Sequence, residues 1–199
     1  EPTRNAFEDH IHESEYVAPK AERLNDLELG YKYQSRKFSA GLNFYYMKYD
    51  NQFVLTGAQD ANGEMVARNI KDSYRMGLEM MAAWNPFKGF NWNANATWSK
   101  NRAKNTTLKV LDADWNESSV NVGSTHLAFS PDFLLNNVLS YEYKGFTASL
   151  MSKYVGKQYM TNSDFSSYTD ANNKEISAMI DSYFTTDLDL SYNFKLKGL

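Results

Sequence analysis

Phe90-Asn91-Trp92-Asn93-Ala94-Asn95-Ala96-Thr97-Trp98-Ser99 is the stretch that decides the architecture. Apolar and polar residues alternate strictly along it. Successive side chains of a strand point to opposite faces, so Phe90, Trp92, Ala94, Ala96 and Trp98 share one face and Asn91, Asn93, Asn95, Thr97 and Ser99 take the other. The same pattern runs from Leu27, where Leu27, Leu29, Tyr31 and Tyr33 oppose Glu28, Gly30, Lys32 and Gln34. It returns near the end, with Leu188, Leu190, Tyr192 and Phe194 against Asp187, Asp189, Ser191 and Asn193. Weaker alternation covers 38–46, 74–84, 133–143 and 146–154. About seven antiparallel strands are expected and no helix, since no segment carries a stripe of helical period.

Connections of two kinds join these strands. Short polar turns fall at 35–37, 85–89, 144–145 and 195–198, while polar stretches at roughly 51–70, 100–125 and 157–178 separate the other strand ends. Equivalent turns recur at about 50-residue spacing, a period that kelch propeller blades also show. A blade needs four short strands, and each repeat here holds two long ones. The pattern is that of up-and-down hairpins with short turns at one end and long loops at the other.

The 199 residues include 12 Phe, 14 Tyr and 4 Trp, and no Cys. Disulfide scaffolds and thiolate metal sites are therefore excluded. A net charge of -3 supplies no electrostatic footprint for nucleic acid. No apolar run approaches the roughly 20 residues of a membrane helix. Such an aromatic content also argues against disorder. The rings crowd the short turns: Tyr31, Tyr33 and Phe38, then Trp84, Phe87, Phe90 and Trp92, then Tyr141, Tyr143 and Phe146. A ring at a strand end on the apolar face suits a bilayer interface. The expected fold is all-β, an antiparallel set of hairpins forming part of a transmembrane β-barrel. A soluble β-rich binding module, with Trp and Tyr as carbohydrate-stacking platforms, is the alternative. Seven strands cannot close an aqueous pore, so residues 1–199 read as one partial barrel domain, an excised piece of a longer chain.

Five stretches resemble the barrel of TonB-dependent outer-membrane receptors, in the style of Bacteroidetes-type Gram-negative bacteria. They are Glu1-Pro2-Thr3-Arg4-Asn5, Glu22-Arg23-Leu24-Asn25-Asp26-Leu27-Glu28-Leu29-Gly30-Tyr31, Asn43-Phe44-Tyr45-Tyr46-Met47-Lys48-Tyr49-Asp50-Asn51-Gln52, Ser73-Tyr74-Arg75-Met76-Gly77-Leu78-Glu79 and Ser152-Lys153-Tyr154-Val155-Gly156-Lys157-Gln158-Tyr159. The resemblance implies a plug inside a barrel of about 22 strands, with this chain supplying later strands but not the last few. It implies that the plug and the segment reaching a periplasmic TonB-type energy transducer lie upstream. Its partners would be outer-membrane lipid, its own plug, the rest of the barrel, the transducer and a scarce bulky nutrient: an iron-siderophore, haem, cobalamin or a glycan. Loops at 45–68, 101–125 and 158–179 would form the ligand mouth, and Arg75, Glu79, Asn91, Asn93 and Asn95 would face plug and water. Tyr45, Tyr49, Arg68, Arg75, Glu79, Asn95 and Trp115 are thus the expected ligand-binding residues, in lumen or loop.

Other clusters carry less. His10 and His12, beside Glu8, Asp9, Glu13 and Glu15, form the one metal-like group, because alternate imidazoles in an extended segment share a side. A solvated acidic loop is the weightier reading, so no metal site and no cofactor are expected. His126 reads as a residue at the start of a strand. Asp187 and Asp189 lie about 7 Å apart on one strand face, but nothing supplies the apolar surroundings of a catalytic acid. An Asn-Gly pair at Asn62-Gly63 between apolar runs is a hairpin signal inside the first long loop. No Gly-rich phosphate loop or nucleophile elbow occurs, and no enzyme is expected.

Overall fold

A computed structural model of the chain describes residues 19–59, 65–111, 117–169 and 175–194. All regular structure in them is β. The long strands are β1 (Arg23–Gln34), β2 (Phe38–Gln59), β3 (Met65–Trp84), β4 (Phe90–Leu111), β5 (Glu117–His126), β6 (Phe133–Tyr143), β7 (Phe146–Val155) and β12 (Tyr183–Tyr192). Four short ones, β8 (Gln158–Tyr159), β9 (Ser167–Thr169), β10 (Glu175–Ser177) and β11 (Met179–Ile180), lie between β7 and β12. The large sheet has the order β1-β2-β3-β4-β6-β7-β12, with β5 paired to the far part of β4. Every ladder in it is antiparallel. The meander of hairpins is as expected, with one strand more than the alternation revealed.

That extra strand explains what happens to the polar stretches. β2 and β3 run unbroken to Gln59 and from Met65, and β4 and β5 to Leu111 and from Glu117. Most of 51–70 and 100–125 is therefore strand rather than loop, in a sequence that carries no strict alternation to detect. The third polar stretch belongs to the long connection between β7 and β12, which holds the brief ladders β8–β11 and β9–β10.

The register carries the alternation across the sheet. Phe38, Trp84, Trp92, Leu139, Leu150 and Leu188 are successive cross-strand partners, an unbroken apolar row over six strands. Because register preserves parity, the whole sheet has one apolar face and one polar face. Leu29 is 73% exposed, Trp98 68% and Leu188 64%, so among the described residues nothing covers the apolar face. Among the described residues, the largest fully buried side chains are Leu127, Thr125 and Ser73. A sandwich would press those aromatic rows against a second sheet; among the described residues the large sheet has no such partner.

Aromatics bound the apolar face at both ends. The row near the short turns holds Tyr33, Phe38, Trp84, Phe90, Tyr141, Phe146 and Tyr192, as expected. A second row on the same face, Tyr46, Tyr74, Trp98, Phe133, Tyr154 and Phe184, follows from the register and was not legible as a group. Tyr154 to Phe146 and Phe184 to Tyr192 each span the gap in nine residues. A spanning strand needs about 9–11. At about 3.4 Å per residue and a tilt near 40°, the band is roughly 21 Å tall, close to the height of a barrel's lipid-facing zone. One amide interrupts it. Asn137 lies on the apolar face and accepts a hydrogen bond from Trp92 Nε1 at 2.5 Å, so its carbonyl is satisfied without water.

The short turns are conformationally demanding. Lys144 and Gly145 have φ of 48° and 84°, the two left-handed residues that a two-residue hairpin of type I′ requires. Gly145 also accepts from Asn193 N at 2.7 Å, tying that turn to the next strand end. β1 and β12 each have a single ladder and are exposed along their full length, so the sheet does not close on itself.

If the apolar face meets hydrocarbon, a charge at its middle is costly while the same charge on the polar face is not. Leu78→Arg in the full-length protein should cost about 2–4 kcal/mol in urea unfolding from lipid vesicles. Ser140→Arg, on the polar face, should cost less than about 1 kcal/mol. Equal penalties would contradict the assignment of faces.

Candidate functional site

The polar face carries its distinctive feature where β5 ends and β6 begins. Both pair with β4, and the last partner of one is Arg102↔His126 while the first of the other is Trp98↔Phe133. Three residues of β4 thus face six of the opposite strand, and residues 127–132 fold out of the ladder. Leu127 N donating to Asn101 O (3.2 Å) and Ser99 N donating to Asp132 O (2.8 Å) close the break on either side. Phe129 sits inside it at φ 52°, a conformation that aromatic residues rarely adopt. Such strain persists only where surrounding contacts impose it.

Those contacts come from above and below. Ala128 N donates to Asn162 Oδ1 (2.7 Å), and Asn162 Nδ2 donates to Leu55 O (2.6 Å), so one buried side chain joins the infolded segment to β2. Phe129 N donates to Tyr159 O (2.9 Å). Asp164 Oδ1 accepts from His126 N (2.6 Å) and lies 2.9 Å from His126 Nδ1. His126 is therefore the last residue of β5 rather than the start of a strand, and its ring packs on Tyr159 at 4.6 Å between centroids. Below, Ser130 Oγ accepts from Arg75 Nη1 (3.0 Å) and donates to Ala128 O (3.1 Å), while Ser99 Oγ donates to Pro131 O (3.2 Å).

Under this roof lies an open recess of about 410 Å³, walled by Tyr45, Arg75, Glu79, Ser99, Asn101 and Phe129 among others. Asn43 Nδ2 is 3.3 Å from both Glu28 Oε2 and Glu79 Oε2, so one amide holds two carboxylates in place. The phenol of Tyr45 lies across Gly77, its register partner. A Cβ at Gly77 would stand 2.7 Å from Tyr45 Oη and 2.7 Å from Trp98 O, so only glycine leaves this space. A second recess of about 460 Å³ adjoins the first, sharing Glu79 and Thr97 and adding Lys32, Asn93 and Asn95. Asn95 accepts from Asn136 Nδ2 at 2.9 Å. The result is a polar track running down the face.

Of the expected ligand residues, Tyr45, Arg75 and Glu79 meet in one recess and Asn95 in its neighbour. Tyr49 is on the polar face beyond the recess, its hydroxyl 3.7 Å from Met47 Sδ. Arg68 lies farther along β3, paired in register with Val54, and lines neither recess. Trp115, His10 and His12 lie outside the described residues. Asp187 and Asp189 face the polar side of edge strand β12. Ser99, Asn101, Phe129, Ser130 and Asn162 were not anticipated. Ser130-Pro131-Asp132 was the available signal, a turn tripeptide immediately before an alternating run. The arrangement offers donors, acceptors and one fixed guanidinium. Such groups are suited to hydrogen-bonding a polar solute. Among the described residues no group of His, Asp and Glu has metal-binding geometry.

Removing Asn162 tests the roof. Asn162→Ala leaves a backbone N–H and a carbonyl without partners, each costing about 1–3 kcal/mol where buried. Hydrogen exchange at Ala128 and Phe129 in the full-length protein should speed by at least tenfold, with β6 and β7 unchanged; unaltered exchange would show that Asn162 does not hold the segment.

Comparison with known proteins agrees with this fold. The family model described as "TonB dependent receptor-like, beta-barrel" matches residues 12–199. No curated protein sequence matches. Among solved structures, the ferric yersiniabactin uptake receptor FyuA from Yersinia pestis is similar at a TM-score of 0.57 and 16% identity, over 86% of this chain and 22% of that one. The FrpB iron transporter from Neisseria meningitidis is similar at 0.56 and 16%, over 88% and 25%. The copper transporter OprC is similar at 0.60 and 15%, over 92% and 24%. At these identities the likeness is one of fold. The chain spans about a quarter of the length of the structures it matches.

Proposed function

The chain belongs to the TonB-dependent receptor family as part of its β-barrel, and from that premise we propose that it forms a section of the wall of a nutrient importer in the outer membrane of a Gram-negative bacterium. In this reading the sheet is completed by further strands at β1 and β12, because backbone groups at an open edge have no partner in lipid. The polar face looks onto a plug supplied by the same receptor, and a periplasmic TonB-type transducer provides the energy for uptake. The role of this section is to bind and position, with no bond made or broken.

The observation that carries the proposal is the recess beneath residues 127–132, set on the polar face of a sheet whose other face is an uncovered apolar band. Arg75 is fixed by Ser130 and retains further N–H donors for an anionic group. Tyr45 and Phe129 add aromatic surface beside it. The chains it resembles are described as handling ferric yersiniabactin, iron and copper, which supports a chelated metal as the first ligand class to test. Haem, cobalamin and glycans follow.

The test uses the full-length receptor and a panel of ferric siderophores, a copper chelate, haem, cobalamin and oligosaccharides in calorimetric titration. At least one should bind. Arg75→Ala should weaken that ligand by tenfold or more, since a hydrogen bond to a charged group contributes about 1.5–3 kcal/mol. Ser140→Ala, outside both recesses, should not change it. Absence of binding across the panel, with a deletion strain growing normally on each limiting nutrient, would sink the reading.

A further inference from the structure

Three lysines surround one tyrosine at the upper limit of the apolar band. Tyr74 is the register partner of Lys48, and Lys100 pairs with Met76, the next residue down on the same face of β3. Lys104 Nζ lies 5.3 Å from the centre of the Tyr74 ring. Tyr46 stacks on Tyr74 at 6.2 Å and 26°. All three ammonium groups are therefore on the apolar side of the sheet, opposite the recess, and just above Tyr46, Met76, Leu78 and the protruding Trp98.

These charges are weakly committed. Lys48 is 3.8 Å from Asp50 Oδ1 and Lys104 is 3.9 Å from Asp72 Oδ2, and the partners are 32–44% exposed. Ion pairs of that length and exposure contribute little. Asp50 also has Arg23 as its register partner. Lys100 has no acidic partner among the described residues and is exposed. Arg102, by contrast, is spent: both terminal nitrogens bind Asp132 at 3.3 Å, and it is 13% exposed. Asp72 Oδ1 is shielded from solvent and has no hydrogen-bond donor. The cluster thus sets three cations, two of them loosely paired with the register partners Asp50 and Asp72, directly above a continuous apolar surface.

We propose that Lys48, Lys100 and Lys104, arranged around Tyr46 and Tyr74, bind the phosphate of a lipid headgroup in the outer leaflet. Its acyl chains would lie down the face over Met76, Leu78 and Trp98. The inference rests on the membrane-spanning reading above and concerns the opposite face from the nutrient recess. Charge complementarity selects the anion, and continuity with the apolar band selects a lipid over a free ion: only an amphiphile satisfies both surfaces at once. Lysines at a membrane surface each add to the retention of anionic lipid.

The experiment is native mass spectrometry of the full-length receptor in detergent, titrated with phosphatidylglycerol, with diacylglycerol of the same chains, and with inorganic phosphate. Phosphatidylglycerol should be retained and the diacylglycerol lost. Lys100→Gln should weaken retention about fivefold, and the triple variant K48Q/K100Q/K104Q about a hundredfold. Lys88→Gln, in a short turn at the other rim, should behave as the parent. Gel-shift on heating verifies that each variant is folded, and the single substitution serves if the triple one is not. Equal retention of the diacylglycerol, or of phosphatidylglycerol by the folded lysine variants, would overturn the site. So would complete displacement by an equal concentration of inorganic phosphate. A receptor that stays monodisperse without detergent and holds no lipid would instead overturn the membrane-spanning reading.

Discussion

A backbone N–H or carbonyl that borders hydrocarbon has no water to turn to, so each strand must find its partners in the strands beside it. The rest of this chain is arranged around that requirement. Seven consecutive positions of the large sheet are filled by antiparallel neighbours. Once the ladders are set, the period of two assigns every side chain to one of two faces. Apolar rows such as Phe38–Trp84–Trp92–Leu139–Leu150–Leu188 follow from it, and so does their exposure. In the membrane-spanning reading proposed above, the energetic role of those rows lies in contact with lipid, which fits the small internal core of the sheet.

The ladder is broken in one place, and the candidate site is built from that break. Residues 127–132 leave the sheet on the polar side, and the lost pairings are replaced one by one. Asn101 and Ser99 close the gap in the strand, Asn162 and Tyr159 receive the freed N–H groups, and Ser130 takes the Arg75 guanidinium. The substitutes come from β2, β3, β4 and the connection between β7 and β12, elements far apart in sequence. The break thereby converts a flat polar face into a roofed recess. It also fixes one cation there, a condition for selective binding that a mobile arginine would not meet.

Much of this was legible from the residues. Strict alternation at 90–99 and 187–194 placed strands and faces correctly, and the polar set Glu28, Lys32, Arg75, Glu79, Asn93 and Asn95 does share one side. Where apolar and polar residues do not alternate, as along 51–59 and 100–111, the period vanishes and strands read as loops. Asn137 shows the opposite limit. It breaks the apolar pattern, yet Trp92 on the neighbouring strand satisfies it, a partnership that no local pattern encodes. Tyr45, Arg75 and Glu79 could be assigned a face, but not a common pocket, because parity says nothing about what folds over a face.

By itself, the sequence determined the element type, the two-faced sheet and the short-turn end, because each is written in local period, turn chemistry and composition; the kinship with receptor barrels rested on the resemblance of five stretches. Tertiary structure alone decided which strands are neighbours, where the second aromatic row lies and which residues meet in the recess. It also decided that three lysines spread over two strands form one cluster. Those outcomes depend on register, and register is a relation between strands: the same alternation is compatible with many pairings until cross-strand packing and hydrogen bonds select one.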